Sequence, residues 1–173
     1  MMLKLRENLS VIIENHPFHE SLNEKILKET AGTSFEMNTH NKDGGISNVR
    51  APKSVNYRIS SPSIELVYEW ILNSLRNIIY VGKFKYEVDN SWLASYGEGE
   101  FAVSHAHHPS AYSFVYFVRC PKGSSPLIFT TSGKRIKAEE GKVVIFPGNL
   151  CHHVPKNKCD GRIVLAGNIV FYP

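Results

Sequence analysis

Hydrophobic residues recur with two different periods along the chain. In the first eighty residues the spacing is helical. The stretch "HESLNEKILKETAG" (19–32) sets Leu22, Ile26 and Leu27 on one side of a helix, with Gly32 as its terminator. A second helix begins after Ser61, which reads as an N-cap, with Pro62 at the first helical position. Its apolar residues Ile64, Val67, Ile71, Leu75 and Ile78 make one face, of the width that packs against a sheet. Residues 39–53 between these helices are polar and glycine-rich, and read as an exposed loop.

Beyond about residue 80 the pattern changes to short β-rich runs: "GKFKYEV", "WLASYG", "YSFVYFVR", "PLIFTT", "KVVIFP" and "RIVLAGNIVFYP". Turn signals such as "GEGE", "PKGSS", "TSGK" and "PGN" separate them. Many short strands with close turns predict a β-sandwich or jelly roll. The expectation is one domain over 1–173, with 1–80 as a helical N-terminal buttress and 81–173 as the β core.

Composition narrows the class. With 42% hydrophobic and 11% aromatic residues, the 173-residue chain has the make-up of a packed globular domain. No apolar run reaches the roughly 18–20 residues that cross a bilayer, and Arg6, Glu7 and Asn8 interrupt the N-terminal apolar residues. A soluble, cytoplasmic protein is expected. The net charge of +4 is mild and its basic residues are scattered, which argues against nucleic acid and is compatible with small anions such as dicarboxylates. Cys120, Cys151 and Cys159 form no C-x-x-C pair, so neither a disulfide framework nor a thiolate zinc site is indicated.

The chemistry lies in the histidines. Five of eight fall in two clusters, "VSHAHHPSA" (103–111) and "NLCHHVPKN" (149–157). Side chains on an extended segment alternate, so His105 and His107 point one way and His108 the other. By the same rule only one of His152 and His153 faces the same ion. Three neutral imidazoles with open positions suit zinc, copper or iron(II) and suit magnesium or calcium poorly. Cys151, beside His152, is expected to be a buried or inert thiol rather than a ligand.

The β-rich half also resembles a known family in three ungapped blocks. The first runs through Trp92, Tyr96, Gly99, Phe101, His105, His107, Ser110, Ser113, Val115, Tyr116, Phe117 and Val118. The second holds Phe146, Pro147, Leu150, His152, Val154 and Asn157, and the third Arg162, Ile163, Ala166 and Asn168. Over residues 90–171 this pattern resembles the iron(II)/2-oxoglutarate-dependent oxygenases, in particular those similar to prolyl 4-hydroxylases. The resemblance implies a double-stranded β-helix (jelly roll, cupin-like), mainly β with flanking α-helices. It implies iron(II) held by His105, His107 and His152, and 2-oxoglutarate as co-substrate with its remote carboxylate on Arg162. Tyr96 and Ser113 are implied as further co-substrate contacts. The implied activity is a dioxygenase that hydroxylates a peptidyl or small-molecule substrate and decarboxylates 2-oxoglutarate to succinate. Three positions depart from the family pattern: His107 stands where a carboxylate is usual, Phe114 replaces a glycine and Val164 replaces a serine. The rival readings are a cupin-like three-histidine metalloenzyme that does not use 2-oxoglutarate, and a catalytically inactive metal- or ligand-binding β domain.

Overall fold

A computed structural model describes residues 9–37, 47–78 and 85–172. Residues 39–46 of the expected loop and 82–84 of the first expected strand lie outside the described residues. In chain order the elements begin with β1 (Ile12–Asn15), α1 (His19–Glu29), β2 (Phe35–Glu36), β3 (Val49–Arg50), β4 (Lys53–Ser54) and α2 (Pro62–Ile78). They continue with β5 (Lys85–Tyr96), β6 (Phe101–His105), β7 (Tyr112–Arg119), β8 (Leu127–Phe129) and β9 (Arg135–Ile136). The last three are β10 (Lys142–Pro147), β11 (His152–Val154) and β12 (Arg162–Tyr172).

Among the described residues the strands form two sheets, a seven-stranded one ordered β1-β10-β7-β12-β5-β4-β2 and a five-stranded one ordered β3-β6-β11-β8-β9. The large sheet is covered on both faces, which is why β7, β10 and β12 read as nearly continuous apolar runs. Alternation sorts their side chains. Tyr116, Val118, Val143, Ile145 and Leu165 pack against the helices, whereas Val115, Phe117, Val144, Phe146 and Val164 enter the space between the sheets.

The helices lie where their apolar faces require. Ile64, Val67, Ile71 and Leu75 of α2 are buried against the large sheet, while Ile78 at the helix end is 60% exposed. The Ile64 amide donates to Ser61 Oγ at 3.3 Å, the expected N-cap bond. Glu29 at the end of α1 adds a second clamp, accepting from the Ser63 amide and hydroxyl at 3.0 and 2.8 Å. Termination of α1 differs from expectation. Thr30 closes it before Gly32, its amide and Oγ1 both donating to the Ile26 carbonyl.

The first eighty residues also contribute strands to both sheets, through β1 and β3. Lys85–Val88 of the first expected run and Trp92–Tyr96 of the second belong to one strand, the 12-residue β5, paired along its length with β12. Among the described residues no helix is long and apolar enough to cross a membrane.

Candidate metal centre and its cavity

Two of the histidines are cross-strand neighbours on the small sheet: β6 ends at His105, directly opposite His152 of β11. Their side chains therefore share a face. His107 lies two residues beyond the strand and is placed by the loop before β11. Its amide donates to the Gly148 carbonyl at 2.7 Å, and its carbonyl accepts from Ser110 at 2.8 Å. Gly148 in turn donates to Ala111 at 3.0 Å. A Cβ on Gly148 would strike the Ser110 carbonyl, so this close approach requires glycine.

The three rings converge. One donor atom from each of His105, His107 and His152 lies within 4.8 Å of the other two. The Nδ1 atoms of His105 and His152 sit 2.7 and 3.0 Å from the carbonyls of Val103 and Leu150. A carbonyl only accepts, so each Nδ1 carries the proton and leaves the Nε2 lone pair free for an ion. Phe146 packs edge-on to His152 with ring centroids 4.6 Å apart. Desolvation by burial, with repulsion from neighbouring imidazoles, pushes His107 down to about 3 and His152 to about 4, and burial together with the Lys53 charge lowers His105 as well. All three are neutral at physiological pH, the form that binds metal.

The neighbouring histidines stand outside this group. His108 is exposed, and His153 Nδ1 lies 3.1 Å from Thr130 Oγ1 on the other side of β11. Cys151 is exposed rather than buried and stands outside the histidine group.

The same cavity holds Arg162, the first residue of β12, which is fully buried. Its guanidinium carbon lies 4.5 Å from the Tyr96 ring centroid and 5.5 Å from that of Phe117. Among the described residues none of its three side-chain nitrogens has a hydrogen-bond partner. Burial without a counter-anion lowers its pKa, yet a guanidinium stays charged. Register fixes its distance from the histidines. Arg162 pairs with Tyr96 and Ala166 with Trp92, whose ring is 6.1 Å from His107. Four residue steps along β5 separate Tyr96 from Trp92, roughly 13 Å at a strand rise of about 3.3 Å. The cavity between is narrow, about 40 Å³, and walled by side chains such as Leu127, Phe146 and Val164.

Tyr96 lines this cavity. Ser113 does not. Its hydroxyl is buried and donates to Asn168 Oδ1 at 2.8 Å, and Asn168 Nδ2 donates to Asn90 Oδ1 at 2.8 Å. Phe114 does stand beside the cavity, and its bulk is compensated across the ladder. A Cβ on its β12 partner Gly167 would come within 2.7 Å of the Phe114 ring, so one side chain fills the space of two. Val164 presents an apolar wall where the family pattern has a hydroxyl.

One residue near the centre had no signal in the sequence. Lys53 of β4 is partly buried, with Nζ 5.4 Å from the Trp92 ring centroid. It faces an open cleft of about 550 Å³ that borders the cavity and shares His105, His107 and Trp92 with it. Burial lowers its pKa.

No family model and no curated protein matches the sequence. Solved structures do match the fold. A prolyl-4-hydroxylase from Pseudomonas putida is 14% identical with a TM-score of 0.67, over 94% of this chain and 92% of that one. A viral collagen prolyl hydroxylase from Paramecium Bursaria Chlorella virus-1, in a 2-oxoglutarate complex, is 13% identical with a TM-score of 0.63, over 92% and 94%. HygX from Streptomyces hygroscopicus, with nickel, 2-oxoglutarate and hygromycin B bound, is 10% identical with a TM-score of 0.67, over 94% and 83%. The chain thus has the jelly-roll fold of these proteins.

Proposed function

We propose that this protein is an iron(II)- and 2-oxoglutarate-dependent oxygenase that uses dioxygen to hydroxylate a peptidyl or small-molecule substrate. The observation that carries the reading is the fully buried, unpartnered Arg162 guanidinium in the same cavity as three converging imidazoles. Three imidazoles alone would fit many metalloproteins, and a buried guanidinium alone would fit a packing role. Together they form a metal-binding end and an anion-binding end, separated along one strand.

The donors suit the groups proposed. Three neutral nitrogens suit iron(II), and a planar guanidinium accepts a carboxylate through two parallel hydrogen bonds. Iron(II) and 2-oxoglutarate supply the oxidising chemistry when bound, with succinate and carbon dioxide as co-products. The chain contributes position and exclusion of water. His105 and His152 are held in one tautomer by Val103 and Leu150, and His107 is held in place through its backbone by Gly148. Arg162 neutralises the remote carboxylate, Tyr96 and Phe117 stack on its guanidinium, and the apolar walls keep the channel dry. The solved structures of the same fold add support, since the viral prolyl hydroxylase and HygX both contain 2-oxoglutarate.

The direct assay follows succinate release from 2-oxoglutarate by the iron(II)-loaded protein in air. Turnover should be lost in Arg162→Gln and kept in His153→Ala. One observation favours a cupin-like centre without 2-oxoglutarate: among the described residues, no carboxylate joins the histidine group. On that reading Arg162→Gln keeps its metal-dependent activity and no succinate forms.

A further inference from the structure

The cleft outside the histidines has a chemical character of its own. Its charged and titratable side chains are Lys53, Tyr57, His105, His107 and His108, and among the described residues no Asp or Glu lines it. The ammonium of Lys53 lies over Trp92, which in turn lies beside His107. It makes no ion pair among the described residues. Glu36 is its cross-strand partner, but their charged atoms are not within ion-pair distance.

Four asparagines, Asn48, Asn56, Asn90 and Asn168, belong to its lining. Asn90 and Asn168 are hydrogen-bonded to each other and held by further bonds to Asp89 and Ser113. A partly buried ammonium without a counter-ion favours an anion in its place. Amide walls ask for a ligand with its own donors and acceptors.

On these grounds we infer that the cleft binds the substrate of the proposed oxygenase, and that this substrate is a small polar molecule bearing a carboxylate, which Lys53 receives. The inference rests on the functional reading for the word substrate only, since the anion site stands on the cleft itself. Lys53 is the one lysine or arginine of the lining among the described residues, and its single charge balances a carboxylate but not a phosphoryl dianion. The volume of about 550 Å³ falls in the range of small-molecule sites. Lys53 thereby becomes a specificity residue, holding the substrate's charged end over Trp92 and directing the remainder towards the histidines.

The test uses the full metal-free chain labelled with nitrogen-15 and follows the indole N–H resonance of Trp92. N-acetylglycine is the probe, because it carries one amide and one carboxylate, and N-acetylglycinamide is its uncharged counterpart. The acid should shift the resonance saturably and the amide should not. Lys53→Gln should weaken the acid about tenfold or more, Lys53→Arg should restore most of the binding, and Arg162→Met and Glu36→Gln should leave it intact. Four outcomes overturn the inference: no saturable shift with the acid, equal binding of the amide, binding unaffected by Lys53→Gln, or loss of the shift in Arg162→Met. Tighter binding of inorganic phosphate, or of a blocked peptide with an internal glutamate, overturns the assignment to a small carboxylate. A separate titration of the iron-loaded chain with 2-oxoglutarate keeps the two readings apart. If that fails while Lys53-dependent binding persists, the oxygenase is wrong and the anion site remains.

Discussion

Replacing Arg162 with methionine should make the metal-free protein more stable and deprive it of its co-substrate. The guanidinium is fully buried with three unpartnered nitrogens, so it carries the desolvation cost of a buried ion, several kcal/mol, without an opposing charge. Stacking on Tyr96 and Phe117 returns part of this, about 2 kcal/mol for desolvated cation–π contacts. A methionine fills much of the same volume with no charge to desolvate, so a net gain of about 1–2 kcal/mol is expected. For a domain of this size that is a rise in Tm of roughly 2–8 °C. Co-substrate reverses the order. At about one hundred times its Kd, 2-oxoglutarate should stabilise the iron-loaded wild type by about 2.7 kcal/mol and Arg162→Met hardly at all. Thermal unfolding followed by near-UV circular dichroism, without oxygen and with and without iron(II) and 2-oxoglutarate, measures both effects. The reasoning is refuted if the substitution destabilises the metal-free protein by about 3–5 kcal/mol, the cost of breaking a paired buried charge. It is refuted equally if 2-oxoglutarate protects both proteins alike.

His105→Ala and His152→Ala should each abolish stoichiometric iron(II) or zinc binding in equilibrium dialysis, while His108→Ala and His153→Ala bind as the wild type does; loss in His153→Ala would place the wrong histidine at the centre. Protons should compete with the metal mainly in acid, because the folded values of His107 and His152 lie near 3 and 4 and that of His105 is lowered as well, so affinity by calorimetry should fall less between about pH 8 and pH 5 than three ordinary imidazoles would allow. The same shifts give the metal-free protein stability that is present above about pH 6.5 and lost as pH falls through 4 towards 3, and stability that is flat across that range in urea titrations would contradict them. Gly167→Ala should cost about 1–3 kcal/mol by overpacking against Phe114 and the Asn90 carbonyl, and Phe114→Leu should recover part of that loss in the double variant, with strict additivity as the contrary result.

The sequence exposed those parts of the site whose geometry follows from local periodicity. Alternation separated His105 and His107 from His108, and the structure brings the first two together with His152. Yet His107 is not on the strand at all. Its place depends on Gly148, forty-one residues away, through a hydrogen bond that no local pattern encodes. Arg162 was marked by the family pattern, whereas its lack of a partner is a tertiary fact, set by the pairing of β12 with β5. The bond from the Ser113 hydroxyl to Asn168 was not legible, because hydroxyl chemistry is visible in a sequence and a partner on another strand is not. The short strands β1 to β4 escaped notice because two to four residues are too few to display a period. Lys53 escaped for the same reason, since it meets Trp92 only when β4 pairs with β5.

The central claim is that the three histidines and Arg162 together bind iron(II) and 2-oxoglutarate. Anaerobic addition of iron(II) and then 2-oxoglutarate, followed by visible absorbance, tests it directly. The account predicts a metal-to-ligand charge-transfer band that saturates at one equivalent of iron, disappears in His105→Ala and His152→Ala, and requires a much higher 2-oxoglutarate concentration in Arg162→Gln. A protein that binds iron through these histidines and develops no band at any 2-oxoglutarate concentration would contradict it.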